Sequence, residues 1–330
     1  MHREDSAKWQ RAMQREFDKL TAKDIFDLVR LDEIPKNIRI YPGKWVYDTK
    51  EDFNPDDERS YKARWVILGN LIDQSQLNFN YCTYAPVVAA STTRLLFALA
   101  ARYGWTIWQA DAAVAFLNGI MRDTIYMHQP KQFEQGQNLV CKLKQSIYGL
   151  TPAARIWYDT LIAYLKEIGF MVSAYDAGLF IHTQRHLYMT SHVDDFKIVA
   201  PNPVDSQWAM DALSARFEMK DVSHMTFYLG MEVSFLQNGI CLNQPTYVKD
   251  LINSFGLENA HPMRTPLDAG TKIDDEPTSE INIKEYQRGS GSLQYLATKT
   301  RPDIAHAACL LAQHNSKPTK SCWNALMHVL

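Results

Sequence analysis

The sequence predicts an α+β fold on three observations. Several segments carry helical apolar spacing, strand-like runs flank them on both sides, and their order is mixed rather than a regular β-α-β alternation. With 330 residues, 46% of them hydrophobic and 22% charged, the chain is long enough for two or three packed units and too apolar to be disordered.

The elements follow in order. Residues 7–20 place Trp9, Met13, Phe17 and Leu20 on one helical face. Short β-rich pieces occupy 38–41 and 44–50, and the acidic stretch 51–60 reads as a hairpin tip. The strand at 61–69 sets Lys62 and Arg64 on one side, since they are two residues apart. A Leu/Ala-rich helix is predicted over 91–103, with Ser91, Thr92 or Thr93 as its cap and Gly104 as its stop. The run G-W-T-I-W-Q-A-D then rises to Asp111. A second helix follows Pro152, with Ile156, Leu161, Tyr164, Leu165 and Ile168 as its apolar face and Gly169 at its end. At 187–200, L-Y-M-T-S-H-V-D-D-F-K-I-V-A has the pattern of a hairpin with Asp194 and Asp195 at its tip. A third helix, 205–218, takes Asp205 as N-cap and buries Trp208, Leu213 and Phe217. The polar stretch 268–283 is the best internal linker, and 284–313 is helical except at Arg301-Pro302. The last residues, W-N-A-L-M-H-V-L, carry no C-terminal cap, as if the chain were cut within a helix.

Composition narrows the class. Lys plus Arg is 35 against 37 for Asp plus Glu, a net charge of −2, so bulk charge alone would not hold nucleic acid. The five cysteines are scattered and odd in number, which argues against a disulfide framework or a zinc site and for a reducing compartment. No apolar run is long enough to span a bilayer, and the charged M-H-R-E-D-S start does not suit a signal peptide. The expectation is a soluble intracellular chain.

Asp111, Asp194 and Asp195 are the candidate chemical centre. Carboxylates held together repel one another and raise each other's pKa unless cations neutralise them. Three of them delivered by neighbouring strands would suit a pair of divalent metals, which stabilise the attacking and leaving oxygens of a phosphoryl displacement. The competing reading is structural: Asp-Asp is a common turn, and a lone Asp at a strand end often caps the next helix.

Six blocks stand in order: Y-K-A-R-W-V at 61–66, Q-A-D-A-A-V-A-F-L-N-G at 109–119, S-I-Y-G-L at 146–150, H-V-D-D at 192–195, F-Y-L-G-M-E-V at 227–233 and T-R-P-D-I at 300–304. Together they resemble the reverse transcriptase domain of copia-type long-terminal-repeat retrotransposons. The likeness runs from W-Q-R-A-M-Q-R-E at 9–16 to K-P-T…W-N-A at 317–325.

The resemblance implies a right-hand polymerase fold: fingers and an N-terminal helix at 1–110, a palm at 111–240 and a thumb-like segment at 241–267. The linker at 268–283 would then lead to the start of a connection segment at 284–330, truncated before ribonuclease H. It implies RNA-directed DNA synthesis from a primer, with two Mg2+ ions (or Mn2+) at Asp111, Asp194 and Asp195, of which Asp111 and Asp194 would bind both metals with Asp195 beside them. Lys62 and Arg64 would hold the triphosphate of the incoming nucleotide. Phe116 would lie under its sugar and exclude a ribose 2′-oxygen; plain core packing is the alternative role. His192, Leu229 and Gly230 would position the primer, where a glycine lets backbones approach closely. The implied partners are an RNA template, a DNA or RNA primer and deoxynucleoside triphosphates, with the integrase and ribonuclease H regions of the same polyprotein and no membrane. The implied location is a cytoplasmic virus-like particle, with later passage to the nucleus.

Three departures stand out. His192 replaces the family's tyrosine, and Trp65 replaces a smaller aliphatic residue. Pro152 falls where the family has a glutamine that touches the nucleotide, and proline offers no donor, so Arg155 is the candidate to compensate. Two readings compete with an active polymerase: a catalytically silent remnant that keeps the fold and nucleic-acid binding, and, ranked last, a metal-dependent nuclease.

Overall fold

The computed structural model describes residues 5–49, 53–73, 83–268, 270–271, 273 and 281–330. Part of the expected hairpin tip, 51–52, and most of the expected linker at 268–283 lie outside the described residues. The chain divides into two compact units, Met1–His224 and Met225–Leu330. That division falls inside the segment expected as palm.

The first unit opens with α1 (Ser6–Ala22), β1 (Phe26–Arg30), β2 (Ile40–Tyr41), β3 (Gly43–Thr49) and β4 (Tyr61–Ile67). Next come α2 (Ala90–Tyr103), β5 (Thr106–Ala112), β6 (Tyr126–Met127), β7 (Leu139–Leu143) and α3 (Ala153–Glu167). It closes with β8 (Met171–Val172), β9 (Leu179–His182), β10 (Leu187–His192), β11 (Asp195–Ala200), α4 (Pro203–Arg216) and β12 (Met219–His224).

Its largest sheet has the order β12-β5-β11-β10-β9-β8, antiparallel throughout. Alternation along each strand gives the sheet two unlike faces. Ala110, Phe196, Ile198, Met189 and Phe180 point to one face and meet Trp157, Leu161 and Leu165 of α3 and Ala209, Met210 and Leu213 of α4. Each large side chain buried there stabilises the unit by about 1.5–3 kcal/mol. Asp111, Asp195 and Lys197 lie on the other face, fixed by register rather than by propensity. A smaller sheet, β1-β7-β6-β2, and the hairpin β3-β4 surround a second core around Trp65, Ile67, Leu117, Leu143 and Ile156. Trp65 is 2% exposed and packs against Trp45, a filling role that accounts for its bulk.

The second unit has the meander β13 (Phe227–Tyr228), β14 (Met231–Leu236) and β15 (Gly239–Asn243). Helices α5 (Pro245–Ser254), α6 (Ile283–Lys299), α7 (Ala305–Ala312) and α8 (Lys320–Val329) follow, with Leu251, Tyr286, Leu293, Leu311 and Leu326 as their core. Arg301-Pro302 interrupts the helical run as expected, in a 3-10 turn at Pro302–Ile304. Among the described residues, no helix is long and apolar enough to cross a membrane.

Two helix caps differ from expectation. Helix α2 starts at Ala90 with Ala89 as N-cap and no capping side chain, so Ser91, Thr92 and Thr93 lie inside the helix. The Ala89 N–H instead donates to Asp176 Oδ2 at 3.0 Å, a long-range bond that local sequence does not announce. Helix α4 is capped by Asn202, whose side chain accepts from the Asp205 N–H at 2.9 Å. Pro203 then takes the first helical turn, where its missing N–H costs nothing, and Asp205 sits within that turn.

Candidate active site

Strand β5 delivers Asp111 one residue before its end, and β11 begins on Asp195, its direct cross-strand partner. Such partners hold their Cβ atoms about 4.5–5.5 Å apart. His192 and Asp195 still pair, so Val193 and Asp194 make a two-residue hairpin turn. Val193 stands at φ 62°, the first position of a II′ turn, where glycine is the usual residue. A β-branched side chain there is strained and holds only if its surroundings over-determine it. They do: the Val193 carbonyl accepts from the Trp157 indole at 2.9 Å and from the Ser191 hydroxyl at 3.3 Å, while the Ala112 N–H donates to the Asp194 carbonyl at 2.7 Å. The tip bearing Asp194 is thereby fixed to the strand bearing Asp111.

Both acids line one open cavity of about 690 Å³. Lys62 and Arg64 line it from β4, on the face opposite buried Ala63 and Trp65. The Arg64 guanidinium lies 5.8 Å from the centre of the Tyr148 ring and 3.8 Å from the Asp48 carboxylate. Burial, then repulsion from Arg64, Lys220 and Lys19, pushes the Lys62 ammonium below its ordinary pKa. A wall of cations under mutual repulsion is suited to a polyanion. Phe116 also lines the cavity, from the 3-10 turn Ala115–Asn118 that follows Val114 at φ 53°. Its ring packs against both cores and meets Tyr148 edge-on at 6.4 Å. Core packing and a place on the cavity wall are therefore not alternatives.

Of the other expected site residues in the first unit, neither Arg155 nor His192 lines this cavity. The Arg155 Nε donates to Asp159 at 3.0 Å and its guanidinium lies 5.5 Å from the Tyr158 ring. One turn of helix separates Arg155 from Asp159, so the local ion pair holds the side chain on the helix surface. Pro152 is the N-cap of α3 and offers the cavity nothing. His192 lies in β10 against Asp195. Leu229 and Gly230 belong to the second unit, at φ 45° and 76°, as the two central residues of the β13–β14 hairpin. Both positive values make it a type I′ turn, and the Tyr295 hydroxyl donates to the Leu229 carbonyl at 2.8 Å. A Cβ at Gly230 would meet that hydroxyl at 2.2 Å, so the glycine is required for close approach.

The three expected acids come to one end of the sheet, with Asp111 facing Asp195 across it and Asp194 in the adjoining turn. Among the described residues, no three His, Cys, Asp or Glu side chains are grouped so as to hold a metal. Asp195 is absent from the cavity wall; its Oδ1 is ion-paired with the Lys197 ammonium, which is 2% exposed. Burial lowers the Lys197 pKa, while Asp195, Asp111 and Asp194 oppose that shift. Asp111 and Asp194 line the cavity and carry hard oxygen donors of the kind that suits Mg2+. That ion takes one or two protein carboxylates and fills its other positions with water and substrate phosphates.

The sequence reading passed over several groups on the wall. Helix α1 contributes Arg15, Glu16 and Lys19, and β12 contributes Lys220. Glu16 is 4% exposed; Lys19 donates to its Oε2 at 3.2 Å, and Oε1 has no hydrogen-bond partner among the described residues. Burial pushes its carboxyl above the usual range, against the pull of Lys19, Arg64 and Lys62. A signal existed: Glu16 stands four residues from both Ala12 and Leu20, a charge within the apolar stripe.

Residues 23–269 match the family model described as reverse transcriptase (RNA-dependent DNA polymerase). The chain is 35% identical over 98% of its length to the retrovirus-related Pol polyprotein from transposon RE2 of Arabidopsis thaliana. It is 31% identical over 97% to the counterpart from transposon TNT 1-94 of Nicotiana tabacum. It spans 22% and 25% of those polyproteins. A solved foamy viral protease–reverse transcriptase in complex with double-stranded DNA matches 98% of this chain and 47% of its own, with a TM-score of 0.50 and 12% identity. That likeness is one of fold: an α+β polymerase architecture.

Proposed function

The chain belongs to the reverse transcriptase (RNA-dependent DNA polymerase) family, and from that premise we propose that it extends a primer 3′-hydroxyl along an RNA template with deoxynucleoside triphosphates. The observation that carries the reading is the shared cavity, with Asp111 and Asp194 on one wall and Lys62 and Arg64 on another. The acids would hold divalent metal, Mg2+ or Mn2+. Bound there, the metal supplies charge neutralisation at the reacting phosphate. The chain's own part is positioning and electrostatics. Lys62 and Arg64 would grip the β- and γ-phosphates, Arg64 as a fixed fork and Lys62 as a point charge. Phe116 would present a flat ring to the sugar. The primer oxygen then forms a bond to the α-phosphorus, the bond to the β-phosphate oxygen breaks, pyrophosphate leaves and the hydroxyl proton passes to solvent.

Partners follow from the same reading: a primed RNA template, and the integrase and ribonuclease H regions of a longer polyprotein. One observation favours a second reading, a silent remnant that binds nucleic acid: neither Pro152 nor Arg155 reaches the cavity. The test is primer extension on an RNA template with Mg2+, beside an Asp194→Ala control that still binds primer–template. Extension by the natural chain alone supports the polymerase. Binding without extension by both supports the remnant.

A further inference from the structure

Glu16 is a buried carboxylate set into a basic wall. On the cavity wall it stands among Arg15, Lys19, Arg59, Lys62, Arg64 and Lys220, at 4% exposure. Packing of α1 on β4 buries it, where Ala12 and Met13 meet Tyr61 and Ala63. A carboxylate so placed is costly unless it is paired and fully hydrogen-bonded. This one is half satisfied: Lys19 donates to Oε2 at 3.2 Å, and Oε1 has no hydrogen-bond partner among the described residues. An apolar side chain would continue the buried stripe of Ala12 and Leu20 without that cost. The charge is felt across the cavity, since burial first and Glu16 second push the Tyr148 phenol above its ordinary pKa. An anion that burdens the fold, on a wall otherwise suited to anions, calls for a purpose in the cavity.

We propose that Glu16 is a counter-charge that limits how tightly the basic wall holds polyphosphate, so that pyrophosphate leaves after each addition. This role rests on the polymerase reading above for its purpose, but not for its measurement. Cations that grip a triphosphate also grip the pyrophosphate it releases. Such uniform binding lowers KM without speeding the chemical step, and product release sets many turnover rates. A negative charge fixed within the wall weakens the hold in proportion to the charge of the ligand. The charged and titratable groups around Glu16 are Arg15 and Lys19 on α1, Lys62 and Arg64 on β4, and Tyr148 after β7. Arg59, Lys220, Asp111 and Asp194 complete the wall. All of these are common to chains that differ only at residue 16, so their titration cancels in a ratio of affinities.

The experiment measures binding of inorganic pyrophosphate to the full chain by calorimetry, without nucleic acid or divalent metal and at fixed ionic strength. The chains compared are the natural protein, Glu16→Gln, Glu16→Met, Asp18→Asn and Lys62→Met. Glutamine keeps the shape and an acceptor for Lys19; methionine continues the apolar stripe and serves if the glutamine variant fails to fold. Asp18 is exposed on the same helix and does not line the cavity, so it controls for net charge. At about pH 8.5 either neutral residue at 16 should tighten binding about fivefold or better, and Asp18→Asn should stay within about twofold. Lys62→Met should weaken it by about fivefold or more, which locates the anion in the cavity. The gain at residue 16 should shrink toward about pH 5, because a protonated carboxyl is as neutral as its replacements. Unchanged or weaker affinity in the residue 16 variants, an equal gain in Asp18→Asn, a gain of one size at both pH values, or no loss in Lys62→Met would each overturn the role. Steady-state primer extension on the same preparations separates the two ideas, and there Glu16→Gln should lower the KM for deoxynucleotide and sharpen inhibition by pyrophosphate. Extension with no Glu16 effect on pyrophosphate sinks this inference alone; the pyrophosphate pattern without extension by the natural chain sinks only the polymerase reading.

Discussion

Phe116 and Glu16 show how much a single side chain is asked to do in this cavity. If the Phe116 ring meets the sugar, Phe116→Val should raise incorporation of ribonucleotides relative to deoxyribonucleotides by about tenfold or more. Valine is the better probe than alanine, because the ring also packs into both cores and full truncation would cost about 3–5 kcal/mol. The incorporation ratio does not depend on how much protein is folded, and an unchanged ratio would remove Phe116 from the sugar. Glu16 makes a prediction about stability and pH. Its folded-state pKa is raised, with burial as the first cause, so the folded chain binds that proton more tightly than the unfolded one. The resulting stability is fully present below the unfolded value, near about pH 4, and is lost as pH rises through the higher folded value. Glu16→Gln should therefore unfold at a higher urea concentration than the natural chain at about pH 8, and the two should converge toward about pH 4. A lower midpoint for the variant at the alkaline end would mean that the Lys19 contact outweighs the burial.

The loop after β7 is the element that joins the cation-bearing strand to the acid-bearing sheet. The Ile67 N–H donates to the Tyr148 carbonyl at 3.0 Å, and Thr151 Oγ1 donates to the Gly69 carbonyl at 3.2 Å. Gly149, at φ 85°, permits that approach, since a Cβ there would meet the Ile67 carbonyl oxygen and Val66 Cγ1, both at 2.3 Å. Gly104, at φ 68°, closes α2 with nothing within 4 Å of the same hypothetical atom. The pair makes an internal control. Gly104→Ala should cost about 1 kcal/mol, the left-handed penalty alone. Gly149→Ala should cost about 3 kcal/mol or more, because backbone must also move. Equal costs in urea unfolding would show that the loop is not held as tightly as its geometry indicates. The S-I-Y-G-L block was visible in the sequence, but its purpose was not: the glycine matters for what crosses it from residue 67, which no local pattern reveals. The same holds for the α2 cap, where Asp176 acts across many residues of chain. By contrast, α1, α3, β4 and the β10–β11 hairpin were legible because their apolar period, turn residues and end signals are all local.

At the scale of the whole chain, charge is distributed against its average. The protein carries a net −2, yet six basic side chains line the cavity against three acids, so this cavity favours a polyanion against the chain's average charge. Composition could not show this. The α+β class followed from the order of elements, and the approach of Asp111 to the 194–195 tip followed from reading both as strand ends. What the sequence left hidden depends on tertiary register: the lysine that claims Asp195, the helix α1 groups that reach the cavity, the local ion pair that keeps Arg155 away, and the division of the chain at His224. The central claim is that Asp111 and Asp194 act as one unit on a phosphate. It is tested most directly by the single-nucleotide incorporation rate on a primed RNA template for Asp111→Asn, Asp194→Asn and the double variant. Each single change should lower the rate on the order of a thousandfold, and the double should fall no further. A single variant that retains the natural rate, with the primer–template bound, would contradict it.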